Sequence, residues 1–517
     1  MLSISRTAIF PNQFGFFSRV FVSLNKRSIF TQHLGCNARC YFEKKENNIY
    51  HHRKQQIIYK KYYSTENSKI DNMEALMSKV FSIPGYSKTQ LGQVHKSVHE
   101  HFREKNFEVT PEDDENQSLN FEELAASGNP FGQTEMGFKY YKENNQAKAF
   151  EYFQLAADQN YAPALHILGT WYLFETKEER KGIEYLQLAA QNNYSIAQRD
   201  LGNCYIHGIG VDKGVSKGID LLNAAATQKL PNANCDLGVL YYEGKLVEQN
   251  YQEAVRHFLL AAEKGFPLAH YYLGLCFMEG TGVRLNIEKG IHHLLEASSL
   301  PDALYTLGSY YIQQGNDIVE GRELLLKAIK SEHCDSMCYL AELYYYGAYG
   351  FPADVNEALP LWEKAATFDF PDAHFALGRY HYDIQDYPSA LSFLSKAVLG
   401  PVPEAEYLLG TMYSKGLGTS VDHQLAFEYF QKAFEHGHMQ AISQLGDCYF
   451  YGNGVSNDYS KAVEYYKMFD NAKDEECDPH ALTQLALCYT KALGVSRNPQ
   501  QAEYYKSRAK AVAELQK

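Results

Sequence analysis

Cysteines, histidines and paired glycines are the residues of this chain with chemistry to offer. Ten cysteines can in principle hold a metal or form disulfides. Cys36 and Cys40 fall in a basic N-terminal stretch. Cys204, Cys276, Cys448 and Cys488 each stand two residues after a small one, at Gly202, Gly274, Gly446 and Ala486. A slot that recurs in this way on a helix face asks for a small apolar group, and a thiol serves as one. Cys235 and Cys338 share another slot. Cys334 and Cys338 are four apart and can bridge or bind metal only with distortion at a helix end. No CxxC pair occurs and nothing completes a zinc site. Nineteen histidines are scattered, doubled at His51-His52 and His292-His293, without HExxH, and are read as core or surface residues. The loops GIGVDKG at 208–214 and GTGV at 280–283 suggest phosphate cradles, but they follow a helix where a nucleotide loop follows a strand, and they recur once per repeat. No Ser-His-Asp or paired-carboxylate arrangement stands out. The expectation is a protein that is not an enzyme and has no cofactor and no metal site.

The elements that carry these residues are clearest in QLGDCYFYGNGVSNDYSKAVEYY, residues 444–466. Leu445, Gly446 and Tyr449 share a face of one helix, Gly452 and Gly454 break it, and Asp458 can cap a second helix with Ala462, Val463 and Tyr466 at helical spacing. The same order of residues recurs around Gly137, Gly169, Gly202, Gly238, Gly274, Gly308, Ala341, Gly378, Gly410, Gly446 and Ala486, at intervals of 32 to 40 residues with 36 the commonest. Each two-helix unit has an apolar stripe that it cannot bury alone, so neighbours must stack around a shared core. Gly or Ala lets helix backbones approach. The preceding Leu fills the core. An aromatic three residues on, such as Tyr241, Phe277, Tyr413 or Tyr449, is expected to pack against the following hairpin. A Gly is expected to close each second helix in a left-handed cap.

These residues resemble the Sel1-like repeat family, whose pattern is A-x-x-x-L-G-x-x-Y-x-x-G-x-G-V followed by a helix with K-A-x-x-Y/W/F-x-x-A-A. The match is good at 197–226, 233–262, 269–297, 405–433 and 441–466. The units around Gly137, Gly169, Gly308 and Gly378 lack the double-glycine loop and look more like tetratricopeptide repeats. The last unit replaces the small Gly with Ala486. The resemblance implies an all-α fold, a right-handed α-solenoid of about ten to eleven helix-turn-helix repeats over residues 131–517. It also implies a role as adaptor or assembly factor for a protein partner. Some relatives carry a disulfide in every repeat, but the regular cysteine pairs that this needs are absent.

Residues 1–63 carry eleven Lys or Arg against Glu43 and Glu46, and the first 42 residues contain no Asp or Glu. This acid-free, amphipathic composition reads as a mitochondrial transit peptide, with processing expected near Tyr63 or after Tyr41. The apolar run at 14–24 is split by Arg19, which argues against a secretory signal. Residues 64–130 read as a helical head and acidic linker, with helices at 71–81 and 87–102 and a loop at 111–117. The whole chain has 62 acidic and 49 basic residues, and the acidic excess lies beyond residue 63, so nucleic acid is not an expected partner. No run of eighteen apolar residues marks a membrane-spanning helix, and peripheral membrane association stays open. The expected compartment is the mitochondrial matrix or the matrix face of the inner membrane. The resemblance points further to assembly of a respiratory complex such as cytochrome oxidase. The alternative is an adaptor of ubiquitin-ligase-linked degradation at the endoplasmic reticulum, which would want a secretory signal.

If the first helices line a concave wall, side chains three before, one after and four after the small residue point into it. A candidate protein-binding groove follows: Tyr242, Tyr271, Glu279, Asp302, Tyr305, Glu342, Tyr345, Asp372, Phe375, Tyr382 and Tyr407. Rings beside carboxylates suit an extended segment that carries Lys or Arg. The competing expectation is that these tyrosines seal one hairpin against the next while the acids keep the surface soluble.

Overall fold

The computed structural model describes residues 120–515, apart from 175, 177, 316, 401 and 471–476. The basic stretch 1–63, its processing site and the helices expected at 71–81 and 87–102 lie outside the described residues. Among the described residues there are twenty-three helices and no strand. A short helix α1 (Phe121–Ala126) precedes eleven hairpins. These are α2 (Pro130–Lys142) with α3 (Gln146–Ala157), α4 (Ala162–Phe174) with α5 (Glu179–Gln191), α6 (Ser195–His207) with α7 (Val215–Thr227), and α8 (Pro231–Glu243) with α9 (Tyr251–Ala262). Then come α10 (Pro267–Glu279) with α11 (Ile287–Glu296), α12 (Pro301–Gln314) with α13 (Ile318–Lys330), α14 (Cys334–Tyr346) with α15 (Val355–Ala366), and α16 (Pro371–Asp383) with α17 (Tyr387–Ala397). The last three are α18 (Pro403–Lys415) with α19 (His423–Glu435), α20 (Gln440–Tyr451) with α21 (Tyr459–Lys467), and α22 (Pro479–Lys491) with α23 (Pro499–Leu515).

The chain divides into two compact units between Leu307 and Gly308. In the first, each helix from α1 to α11 packs on the next. In the second, the same holds from α13 to α23, and α14 also touches α16 and α20 touches α22. This is the solenoid arrangement of stacked helix-turn-helix repeats, with a core made of successive shared layers. The leucines before each small residue, from Leu201 to Leu485, are buried, as are Cys204, Cys235, Cys276, Cys338, Cys448 and Cys488. The described cysteines are all free thiols. Second helices start on Asx caps: Asn250, Asn286, Asp317, Asp422 and Asp458 each accept a hydrogen bond from the backbone N–H three residues on.

The small residue marks where the two helices of a hairpin cross. A Cβ on Gly410 would stand 2.7 Å from the ring of Phe430, and one on Gly274 would stand 2.7 Å from Leu294 Cγ. Where the second helix also carries glycine, as in Gly202 with Gly218 and Gly308 with Gly321, backbone approaches backbone, and a Cβ on Gly308 would sit 2.8 Å from the Gly321 carbonyl oxygen. The second glycine of the loops does a different job. A Cβ on Gly418 would meet the backbone of Tyr387, the first residue of the preceding hairpin's second helix, at 2.7 Å. The double-glycine loops are therefore filled by neighbouring chain, and the phosphate reading has no room to operate there.

Two expectations need correction. The aromatic three residues after the small one stacks on the second helix of its own hairpin, not on the following hairpin. Tyr241 lies on His257, Phe277 on His293, Tyr413 on Tyr429, Tyr449 on Tyr465 and Tyr489 on Tyr505, with interplanar angles of 6–14°. One helical turn beyond the crossing point, that side chain still faces its partner helix. Nor is the left-handed residue after the second helix always glycine. Gly265 and Gly437 take it, but Asn160, Asn193, Lys229, Glu332 and Asp369 take it elsewhere. A few of these, above all the asparagines, tolerate that conformation at little cost.

The crossing yields a prediction whose sign opposes helix propensity. Alanine in place of a mid-helix glycine ordinarily stabilises by about 1 kcal/mol. Gly410→Ala must instead displace the buried Phe430 ring, and overpacking of this kind costs about 1–3 kcal/mol. A urea midpoint below that of the parent is the expected result.

Candidate functional site

The candidate groove residues all lie on first helices, from α8 to α18, and all but Asp302, which is exposed, are half-buried. Within the first unit Tyr242 sits against Tyr251 at 5.4 Å, Phe258 at 6.3 Å and Tyr272 at 5.4 Å between ring centres. Tyr271 meets Tyr272 edge-on at 5.5 Å. Within the second unit Tyr345 touches Trp362 of its own hairpin and Tyr380 of the next, Tyr382 meets Tyr387, and Tyr407 stacks on His438 at 4.4 Å. Phe375 packs on the core layer of Leu394 and Leu409. Tyr242, Tyr345 and Tyr407 thus spend part of their surface on sealing hairpins and keep part of it exposed. The two expectations for these rings are not exclusive.

The acids differ by setting. Glu342 on α14 faces Asp372 on α16, and burial together with that second negative charge pushes its carboxyl up to about 8, against a smaller pull from Arg379. Asp383 is also raised by burial, opposed by Arg379. Tyr345 and Tyr346 border the same patch, and their hydroxyls are raised by burial. In the first unit Glu279 contributes negative charge beside Tyr242. Tyr305 and Asp302 flank the end of that unit on α12. The structure therefore brings Glu342 and Asp372 together, with Tyr346 beside Glu342, and separately Tyr242 and Glu279.

One polar constellation escaped sequence reasoning. His166 on α4 bonds Asp200 Oδ2 at 2.8 Å through Nε2, Arg199 on α6 bonds Asp236 on α8 with Nε at 2.5 Å and Nη2 at 3.1 Å, and Asn203 Nδ2 reaches Asp236 Oδ2 at 3.1 Å. Arg199 is 2% exposed, and the doubled hydrogen bond to Asp236 offsets the cost of burying its charge. His166 and Arg199 occupy the slot three before the small residue, where Tyr271, Tyr305, Phe375 and Tyr407 stand in other hairpins. An ion in a slot that elsewhere holds a ring was the available signal. The network ties three consecutive first helices and presents no open reactive group.

Among the described residues no three His, Cys, Asp or Glu side chains gather as a metal centre would need, and no helix is long and apolar enough to cross a membrane.

The Sel1 repeat model matches residues 134–161, 162–194, 195–230, 231–266, 267–302, 301–333, 334–367, 371–399, 403–438, 440–469 and 479–510. The chain belongs to the Sel1 repeat family. The four short-loop hairpins that look tetratricopeptide-like are Sel1 repeats too, because the model matches them at 134–161, 162–194, 301–333 and 371–399. Proteins built of Sel1 repeats are generally non-enzymatic scaffolds that bind other proteins. Similar curated proteins include the chitin synthase regulator SKT5 of Malassezia restricta, 29% identical over 24% of this chain and 9% of its own length. An uncharacterised protein of Neisseria meningitidis serogroup B is 29% identical over 28% of this chain and 31% of its own. The chain thus spans less than a third of either relative. A crystal structure of c5321, a protective antigen of uropathogenic Escherichia coli displaying an SLR fold, aligns at 24% identity over 77% of this chain and 97% of its own, with a TM-score of 0.41.

Titration should destabilise these Sel1 hairpins from both sides. Burial and Arg256 hold His257 down to about 4, where Nδ1–H donates to Asn234 Oδ1 and Nε2 accepts from Arg256. The unfolded chain then binds the proton first, so stability falls as pH drops from about 6.5 towards 4. For Glu342 the native state keeps the proton longer, so stability falls as pH rises from about 4.5 to 8. Melting temperatures across this range should show H257Q with a shallower acid limb and E342Q with a shallower alkaline limb. Parallel curves for parent and variants would refute the assignment.

Proposed function

We propose that this Sel1 repeat protein is a mitochondrial scaffold that holds a partner protein along its first-helix face. Its work is assembly of a respiratory complex of the inner membrane, with cytochrome oxidase as the example. The compartment rests on the acid-free, Arg-bearing composition of residues 1–42. The mode of binding rests on one observation above all. Glu342, on a helix that also carries Tyr345 and Tyr346, is pushed up by burial and by the negative charge of Asp372 beside it. A Lys or Arg supplied by an extended segment would relieve their repulsion and lie over the rings. Tyr271, Tyr305 and Asp302 offer the same pairing of aromatic and acid in the first unit. A Sel1 scaffold that captures a basic segment needs no catalytic group, and the free buried thiols suit a reducing compartment.

Capture by this patch is linked to protons. A partner's cation favours ionised Glu342, so affinity should rise with pH up to about 8, and E342Q should lose that dependence. Tyr271→Ala with Tyr305→Ala should lower recovery of partners in affinity capture of the full chain from mitochondria, while the melting temperature stays within a few degrees. A collapse of the melt would show that the rings serve the stack alone.

Fusion of residues 1–70 to a fluorescent reporter should direct it to mitochondria. Diffuse fluorescence would remove the compartment from this reading, and reticular fluorescence would favour the endoplasmic-reticulum adaptor.

A further inference from the structure

The second helices of the two units differ at one slot. Phe153, Leu186, Leu222 and Phe258 press against Gly137, Gly169, Gly202 and Gly238. Two residues beyond them stand Leu155 on α3, Leu188 on α5, Ala224 on α7 and Leu260 on α9, and the three leucines are 41–45% exposed. Glu296 ends the row on α11. In the second unit the same slot holds Lys327 on α13, Lys364 on α15, Lys396 on α17 and Lys432 on α19, all exposed and all in the last turn of their helices. Water and the negative helix end both favour lysine there. The last turns of α3, α5, α7 and α9 carry no basic residue. Single exposed leucines are ordinary, but a row of them in a slot that elsewhere holds lysine is the mark of a covered face. The helices of the row are neighbours. The Tyr185 hydroxyl on α5 donates to Gln154 Oε1 on α3 at 3.3 Å, and Gln228 Nε2, just after α7, donates to Asn193 Oδ1, just after α5, at 3.2 Å. One turn before the slot the same side of these helices carries acid: Glu151, Glu184 and Asp220, all exposed.

We propose that this row is the seat of the chain's own segment 87–102, docked as an amphipathic helix. The sequence of that segment places Leu91, Val94, Val98 and Phe102 on one stripe, at spacings of three and four. His95, His99 and Arg103 each follow a stripe residue and form one border with Lys88, while Glu100 and Glu104 fall on the far side. Residues 87–105 hold four Lys or Arg against those two Glu. A basic border beside an apolar stripe complements an acid row beside a leucine row. The tether is long enough. Seventeen residues, 103–119, lead from Phe102 to Asn120, which caps α1 against the first hairpin, and fully extended they reach about 55–60 Å. A second copy is the poorer occupant, because two such walls face to face would set Glu151, Glu184 and Asp220 against their own kind. A tethered segment is moreover present at high local concentration on every copy. The seat involves second helices alone, so it stands apart from the scaffold reading and from the compartment.

Photo-cross-linking in the full chain tests the seat from both sides. Benzoylphenylalanine in place of Phe102 should cross-link on illumination to peptides of α3, α5, α7 or α9 within the same molecule. L155E/L188E/L260E changes only exposed side chains and should cut that yield at least tenfold with unchanged helical circular dichroism. Benzoylphenylalanine in place of Leu188 should cross-link to residues 87–105, and V94D/V98D, which leaves the solenoid untouched, should remove that product. Hydrogen exchange without any label gives an independent reading: amides of residues 91–102 should exchange at least tenfold more slowly in the parent than in L155E/L188E/L260E. Cross-links between two molecules would give the row to a second copy. Equal exchange at 91–102 in parent and L155E/L188E/L260E would leave it to another partner. Either result overturns the proposal.

Discussion

Everything in this fold depends on helices that approach more closely than ordinary side chains allow. At each crossing one helix presents Gly or Ala and the other presses a ring, a leucine or its own glycine into the gap. Mid-helix glycine weakens an isolated helix by about 1 kcal/mol, so the motif makes no sense for a helix on its own. It makes sense where the lost propensity is outweighed by burial of Phe430, Tyr466 or Leu294 against backbone. Hairpin and stack are thus stabilised by the same substitution of hydrogen for a side chain.

Once the crossing is set, neighbouring slots inherit their roles. One turn on, the aromatic must meet the partner helix, which is why the ring pairs recur with nearly parallel planes. Two residues on, a thiol fills the core. Three residues before, the repeats carry different side chains: His166 and Arg199 in a buried ion network, Cys235 and Cys338 as core, and Tyr271, Tyr305, Phe375 and Tyr407 as half-buried rings. The scaffold tolerates such variety because the small residue and the side chain opposite it already set the crossing. That freedom is what a binding surface built from repeats requires.

Charge follows the same logic. Arg199 is buried because Asp236 on the next first helix and the adjoining Asp200 match it. Glu342 lacks an equal match and holds its proton far above the usual carboxylate range. A solenoid places first helices side by side, so residues about one repeat apart in sequence become direct electrostatic neighbours. Asp236 stands 37 residues beyond Arg199, and Asp200 stands 34 beyond His166.

How much was legible follows from the range of each interaction. The repeat spacing, the small residue, its leucine and the Asx caps are local patterns, and residues 131–517 could be read as stacked hairpins because every copy repeats the same short-range argument. The place of the cysteines was readable for the same reason. The direction of the post-glycine aromatic was not, since a period of 3.6 residues says which face a ring occupies but not which of two flanking helices lies opposite. Nor were the Arg199–Asp236 network, the Glu342–Asp372 pair and the His270–His293 contact, which join residues 23 to 37 positions apart. Periodicity alone determined the architecture, because it needs only that each hairpin bury its stripe on the next. Tertiary structure alone decided which charges and imidazoles meet, because that depends on the offset between adjacent helices, a quantity no single helix encodes.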